Sequence, residues 1–194
     1  SDLAFLRRLA ARLDCDFQVV DGQLQLRSRA DRDRGTIELS LYSQLLRLRA
    51  TADLADQVSE VSVSGFDLAQ GQAFAATSHG AQPGPGSGRT GAATLAGLRR
   101  GSSRSLHLAG LPCRDRAEAQ ALADAAFDQR ARRFVRVHAS TEGNPALRVG
   151  SRVRLRGAGR RFDNDFAVVQ ACHRFDLVEG YRTDFVGECA YLGS

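Results

Sequence analysis

Four runs near the end of the chain decide the class of fold: FVRVHASTE at 134–142, SRVRLR at 151–156, DFAVVQACHRFD at 165–176 and YRTDFVGECAY at 181–191. All four read as strands, with alternating residues such as Val153 and Leu155 between arginines, which is the period of a strand with one buried face. Glycine-rich or polar turns separate them, and Pro145 and Gly150 flank Leu147. Just upstream lies the clearest helix, over about 115–133. Asp115 and Glu118 have the spacing of a capping box, in which each side chain satisfies an amide left orphaned at a helix start. Ala119, Leu122, Ala123, Ala126, Phe127 and Phe134 follow at helical spacing as the apolar face. Arg130, Arg132 and Arg133 occupy the other face in the last turn, where the macrodipole favours cations. One helix followed by four strands predicts an α+β fold: an antiparallel sheet or small barrel with one long packed helix.

Working outward, residues 2–13 (DLAFLRRLAARL) read as a helix with Ser1 as N-cap. The runs 17–20 and 23–27, joined by Asp21-Gly22, read as a hairpin, because both turn positions need positive φ. Residues 28–35 (SRADRDRG) read as a loop and 36–41 (TIELSL) as a strand, while 42–50 are ambiguous. Further strands are expected at 57–64, leading into Gly65-Phe66-Asp67, near 72–78 and near 103–109, with a short helix near 92–99. Residues 79–91 (HGAQPGPGSGRTG), with five glycines and two prolines, read as a mobile loop. Two domains are expected: a helix-plus-hairpin segment over 1–56 and a barrel-like domain over 57–194.

The composition is that of a globular chain: 194 residues, 43% hydrophobic and 25% charged, which excludes collagen-like and wholly disordered classes. No apolar run is long enough to span a membrane, and the first helix carries Arg7, Arg8 and Arg12, unlike a signal peptide. All 27 basic residues are arginine, and methionine is absent, so a segment upstream is expected. The net charge of +5 is unevenly spread: residues 99–161 carry fifteen arginines against five acids, and residues 162–194 two against six. Such a block suits nucleic acid, an acidic partner, or complementary charge between subunits. Its only aromatics, Phe127 and Phe134, fall on the apolar helix face rather than among the arginines as in a single-strand platform. Protein partners are therefore favoured.

Chemistry is hard to find. Cys15, Cys113, Cys172 and Cys189 lack zinc-ribbon or thioredoxin spacing and read as reduced thiols. Cys172 and His173 are adjacent on a strand and point to opposite faces, which argues against one ion shared with Cys189 and His138. Gly86-Ser-Gly88-Arg-Thr-Gly91 has the letters of a dinucleotide fingerprint, but Pro83 and Pro85 interrupt the strand that should enter it. His79, His107, His138 and His173 show no zinc-binding spacing, and no serine sits in a nucleophile elbow. Neither catalysis, nor a cofactor, nor a metal site is predicted.

Five stretches together carry a resemblance: Ser1-Asp2 through Ala10 with the following hairpin, Val61 through Asp67, Gly110-Leu-Pro112 with Asp115 through Ala119, Gly143-Asn-Pro145 through Gly150, and Phe175-Asp176 through Gly180-Tyr181-Arg182-Thr183. In this order they resemble the late control gene D protein family, the hub proteins of contractile phage tails, and their type VI secretion relatives, the VgrG spike proteins. The resemblance implies a structural, non-enzymatic homotrimer. In that family two barrels per chain form a pseudo-six-fold ring joining the tail tube to the central spike. It begins after the first barrel of that family, and it implies assembly in the bacterial cytoplasm into a virion tail or injection-system baseplate. Arg130, Arg132, Arg133, Arg152, Arg154 and Arg156 are the candidate contacts to neighbouring subunits or the lumen. The alternatives are a basic nucleic-acid-binding module and a cell-wall hydrolase domain of a tail.

Overall fold

The computed structural model describes residues 1–29, 33–67, 70–98 and 103–193. The loop expected over 28–35 and the end of the helix expected near 92–99 lie partly outside the described residues. In chain order, α1 (Asp2–Arg12) leads into the hairpin β1 (Cys15–Val20) and β2 (Gln23–Ser28). Asp21 and Gly22 take positive φ of 51° and 74°, as the turn chemistry requires. Ser1 holds the N-cap position but makes no side-chain cap bond.

A six-stranded sheet forms the body. Its strands are β3 (Thr36–Ser40), β4 (Leu45–Ala52), β9 (Val135–Glu142), β10 (Arg152–Arg156), β11 (Asp165–Asp176) and β12 (Gly180–Cys189), in the spatial order β3-β10-β11-β12-β9-β4. The pairings are antiparallel except β3 with β10, which is parallel. Consecutive strands β3 and β4 thus lie at opposite edges. The sheet curls far enough for Leu41 and Leu45 to bridge, giving a half-barrel. Alternation works as the sequence demands. Val135, Val137, Val153, Leu155, Phe166, Val168 and Phe185 point inward, and the intervening arginines point out.

A second layer holds β5 (Glu60–Asp67), β6 (Gln72–Ser78) and β8 (Ser105–Leu108), ordered β6-β5-β8, with α3 (Arg116–Arg132) packed across it. Between these, β7 (Arg89–Thr90) pairs with β13 (Tyr191–Leu192), and α2 (Gly91–Leu98) follows. The α+β, barrel-like class is therefore the observed one. Residue 56, the expected domain boundary, falls between β4 and β5; β4 pairs with β9, so strands from both sides of it share one sheet.

Three local expectations need correction. Phe134 is not on the face of α3: the helix has ended, and Phe134 enters the core of the half-barrel, 1% exposed. Arg132 is not on a solvated face; it is buried, because it answers a buried carboxylate. In the cap, Asp115 accepts the Glu118 amide at 2.8 Å, but Glu118 reaches the Arg114 amide, one residue outside the usual box.

Candidate functional site

The outer face of the half-barrel and the ground beneath α1 carry most of the unusual chemistry. On β10, Arg152, Arg154 and Arg156 stand on the outer face in alternation with buried Val153 and Leu155. Arg154 grips Asp165 on the adjacent strand with two hydrogen bonds, of 2.9 and 3.1 Å. That bond and the neighbouring positive charge hold the Asp165 carboxyl below its usual range, despite partial burial. Arg136 pairs with Glu188, and Arg174 with Asp184, on the same face.

At the end of α3 the three candidate arginines diverge. Arg130 donates to the Ala126 carbonyl within its own helix. Arg133 is exposed and lies with Arg136 along two clefts, of about 300 and 280 Å³. Arg132 turns inward. Its guanidinium bonds Asp14, at the junction of α1 and β1, and donates to the Gln82 carbonyl at 3.0 Å. Its Nε has no hydrogen-bond partner among the described residues. The end of α3 is thereby tied to the 79–91 segment and to the entrance of the hairpin. Burial pushes the Asp14 carboxyl above its usual value, although Arg132 and Arg29 pull it down. Asp128, one turn earlier on α3, is also buried and raised; it accepts the amides of Ala81 and Gln82 at 3.2 and 2.7 Å.

These contacts correct the expectation of a mobile loop at 79–91, because buried side chains hold its start and its middle. Asn164 accepts the Ser87 amide at 3.0 Å and donates to the Ser87 carbonyl at 2.8 Å. The glycines serve packing rather than phosphate. A Cβ on Gly88, at φ 124°, would stand 2.2 Å from the Leu192 carbonyl oxygen, and one on Gly86 would stand 2.6 Å from Cys189 Sγ. The letters of the nucleotide fingerprint thus fold against the chain's own β13.

Of the six candidate arginines, Arg132 and Arg152 line one cleft of about 370 Å³ with Arg29, Pro83 and Gly84. Arg132 and Arg133 share the 280 Å³ cleft beside it, while Arg154 and Arg156 run on along β10. The structure therefore joins Arg132 to both groups and leaves Arg130 on its helix. Asp14, Arg29 and Asp128 were missed, since nothing in their local sequence marks them as partners of Arg132.

Among the described residues no group of three or more His, Cys, Asp or Glu side chains could hold a metal ion. Cys189 is buried in the core, and burial pushes its thiol up to about 12. Cys172 is exposed on the outer sheet face. No helix among the described residues is long and apolar enough to cross a membrane.

Residues 2–176 match the family described as the Alg8 N-terminal domain. The chain belongs to that family. No curated protein matches it in sequence. Similar solved structures include two tail proteins and a chain of a virion. A 43 kDa tail protein of prophage MuSo2 from Shewanella oneidensis matches 98% of this chain and 54% of its own at TM-score 0.69 and 12% identity. A tail protein from Neisseria meningitidis MC58 matches 95% of this chain and 52% of its own at TM-score 0.57 and 13% identity. A chain in the virion of a native gene transfer agent matches 99% of this chain and 40% of its own at TM-score 0.55 and 16% identity. The chain shares its fold with these proteins. The chain spans about half the length of the first two of these relatives and less of the third.

Proposed function

We propose that this chain is a structural component of a phage tail or related injection apparatus. In finer terms it acts as a baseplate hub element, a homotrimer contributing its half-barrel to the ring that adapts the tail tube to the central spike. The observation that carries the reading is the match of nearly the whole chain, at TM-score 0.69, to a 43 kDa phage tail protein. The outer sheet face supports it. A row of arginines partly neutralised by Asp165 and Glu188 gives register and orientation against a charged neighbour more than raw affinity. On this reading Arg133, Arg152, Arg154 and Arg156 meet a neighbouring subunit or line the lumen. Arg132 holds the lobe that carries α1 in place, and Arg130 has the weakest claim.

Immunolabelling of purified tail-like particles with an antibody to this chain tests the placement. Label at the junction of tube and spike is expected. Label absent from intact particles, or spread along the sheath, would overturn it. Reversal of Arg152, Arg154 and Arg156 to glutamate is expected to abolish incorporation while the isolated chain stays folded; normal incorporation would remove these residues from the contact.

A further inference from the structure

In the sequence the arginine block has no aromatic residue to interleave with it, but the fold brings one to its edge. Residues 143–162 hold six arginines and no acid. Arg152, Arg154 and Arg156 stand in file on the outer face of β10, two residues apart and so about 6.6–6.8 Å from one to the next. Arg148 lies in the segment entering the strand, and Arg160 and Arg161 lie in the turn that leaves it. Among the described residues Arg148, Arg152, Arg156, Arg160 and Arg161 have no ion-pair partner, and all five are exposed.

The acids around the row are unevenly placed. Asp165 bonds Arg154, and Glu38 is level with Arg154 on β3. Asp163 accepts the Ala158 amide at 2.6 Å, and Asp33 accepts the Gly35 amide at 2.9 Å. Arg154 is thus answered from both sides. The end of the row, at Arg156, Arg160 and Arg161, keeps an excess of positive charge over the one acid of that turn, Asp163.

Tyr42 stands at this end. Its neighbour Leu41 donates its amide to the Arg156 carbonyl at 2.9 Å, and a Cβ on Gly157 would stand 3.5 Å from Leu41 Cβ. Leu41 packs on the core, while Tyr42 is 94% exposed. The φ of Tyr42 is 65°, in the left-handed region that a bulky side chain rarely adopts. The other non-glycine residues found there, Asp14 and Asp21, have the short polar side chain that tolerates it. A backbone outlier that presents an aromatic ring to solvent points to a surface used for contact.

We propose that Tyr42 and the arginines of β10 and its following turn bind single-stranded nucleic acid. The guanidinium groups meet the phosphates, and the tyrosine ring stacks on an unpaired base. A polymer charged at every unit suits a file of guanidinium groups at strand spacing. The exposed ring offers a flat partner that a base can use and a carboxylate surface cannot. The inference goes beyond the tail reading and does not depend on it, because it concerns a surface of this chain alone.

Fluorescence anisotropy of labelled oligothymidylate titrated with the full chain tests it, beside a duplex of equal length and labelled polyglutamate. Binding that falls steeply with salt is expected. Tyr42→Ala should weaken the single strand about tenfold and leave the duplex unchanged, and Tyr42→Phe should keep the affinity. Arg156→Ala combined with Arg160→Ala should flatten the slope of log K against log salt by about 1.4. All of these positions are exposed, and thermal melting checks that each variant is folded. Absence of binding at low salt, or binding that Tyr42→Ala leaves unchanged, would overturn the proposal. Polyglutamate bound as tightly as the oligonucleotide would assign the row to an acidic protein neighbour and overturn it as well. In each of these cases the tail reading would still stand.

Discussion

Replacing Arg132 by methionine removes the guanidinium but keeps the length of the stem, which packs against Gly84. Its partner Asp14 is then left largely buried, with only the more distant Arg29 nearby, at 3.7 Å. The side chains of Arg132 and Asp14 are 6% and 15% exposed, so solvent screening does little to soften the loss. Breaking a buried pair from one side costs about 3–5 kcal/mol. The Gln82 carbonyl also loses its donor. Asp14 has one escape: its carboxyl already sits above the usual range, and without Arg132 it rises further and takes up a proton. That keeps the expected cost at pH 7 near the lower figure, about 3 kcal/mol, or about 6–12 °C in Tm for a chain of this size.

The sign of the pH effect follows. A carboxyl whose folded pKa is raised penalises the fold above that pKa, and the penalty vanishes as pH falls toward its unfolded value near 3.8. The gap between Arg132→Met and wild type should therefore narrow on acidification. Thermal denaturation at pH 7 and pH 4.5 reads the gap, and amide exchange locates it: faster in α1, β1 and residues 80–83, unchanged in β9 and β12. Pairing Arg132→Met with Asp14→Leu removes both charges and should recover most of the loss. A fall in Tm below about 2 °C at pH 7, or a loss that Asp14→Leu deepens, would refute the argument that this pair anchors the lobe.

Other outcomes follow from the same packing. Gly88→Ala combines positive φ with a clash against backbone and should cost at least about 3 kcal/mol, whereas Gly97→Ala, with open space around it in α2, should gain about 0.5–1 kcal/mol; chemical denaturation of both separates them. Iodoacetamide at pH 8 should label Cys172 readily and leave Cys189 unmodified until the chain unfolds, by peptide mass mapping, since burial raises the latter thiol to about 12. Asp165, held below its usual range by Arg154, contributes stability that is present above its unfolded value and lost as pH falls through the folded one. Asp165→Asn should therefore be less stable than wild type at pH 7, where that contribution is full, and the gap should shrink below pH 4, as thermal denaturation across pH reads.

How much of this was written in the sequence depends on the range of each interaction. Strands such as 165–176 and 72–78 were legible to the residue, because alternation and turn chemistry are local. The Asp21-Gly22 turn announced itself for the same reason. The parallel placement of β3 beside β10 was not legible, since it joins residues more than a hundred positions apart and leaves no periodic trace. The same distance hid the pairing of Asp14 with Arg132, so an arginine that local periodicity assigns to solvent is in fact buried. The glycines of 79–91 were read as freedom. They are close approaches to β13 and Cys189, a meaning that only tertiary packing supplies. The apolar tip Phe175-Asp-Leu-Val was legible in principle, because aliphatic residues at a hairpin turn contradict the polarity expected there.

The central claim, that this half-barrel is a part of a closed tail ring, is tested most directly by native mass spectrometry of the purified chain with negative-stain imaging of the same sample. The account predicts three copies in a closed particle with three-fold symmetry. A monomer throughout the accessible concentration range, or an open filament of unlimited length, would contradict it.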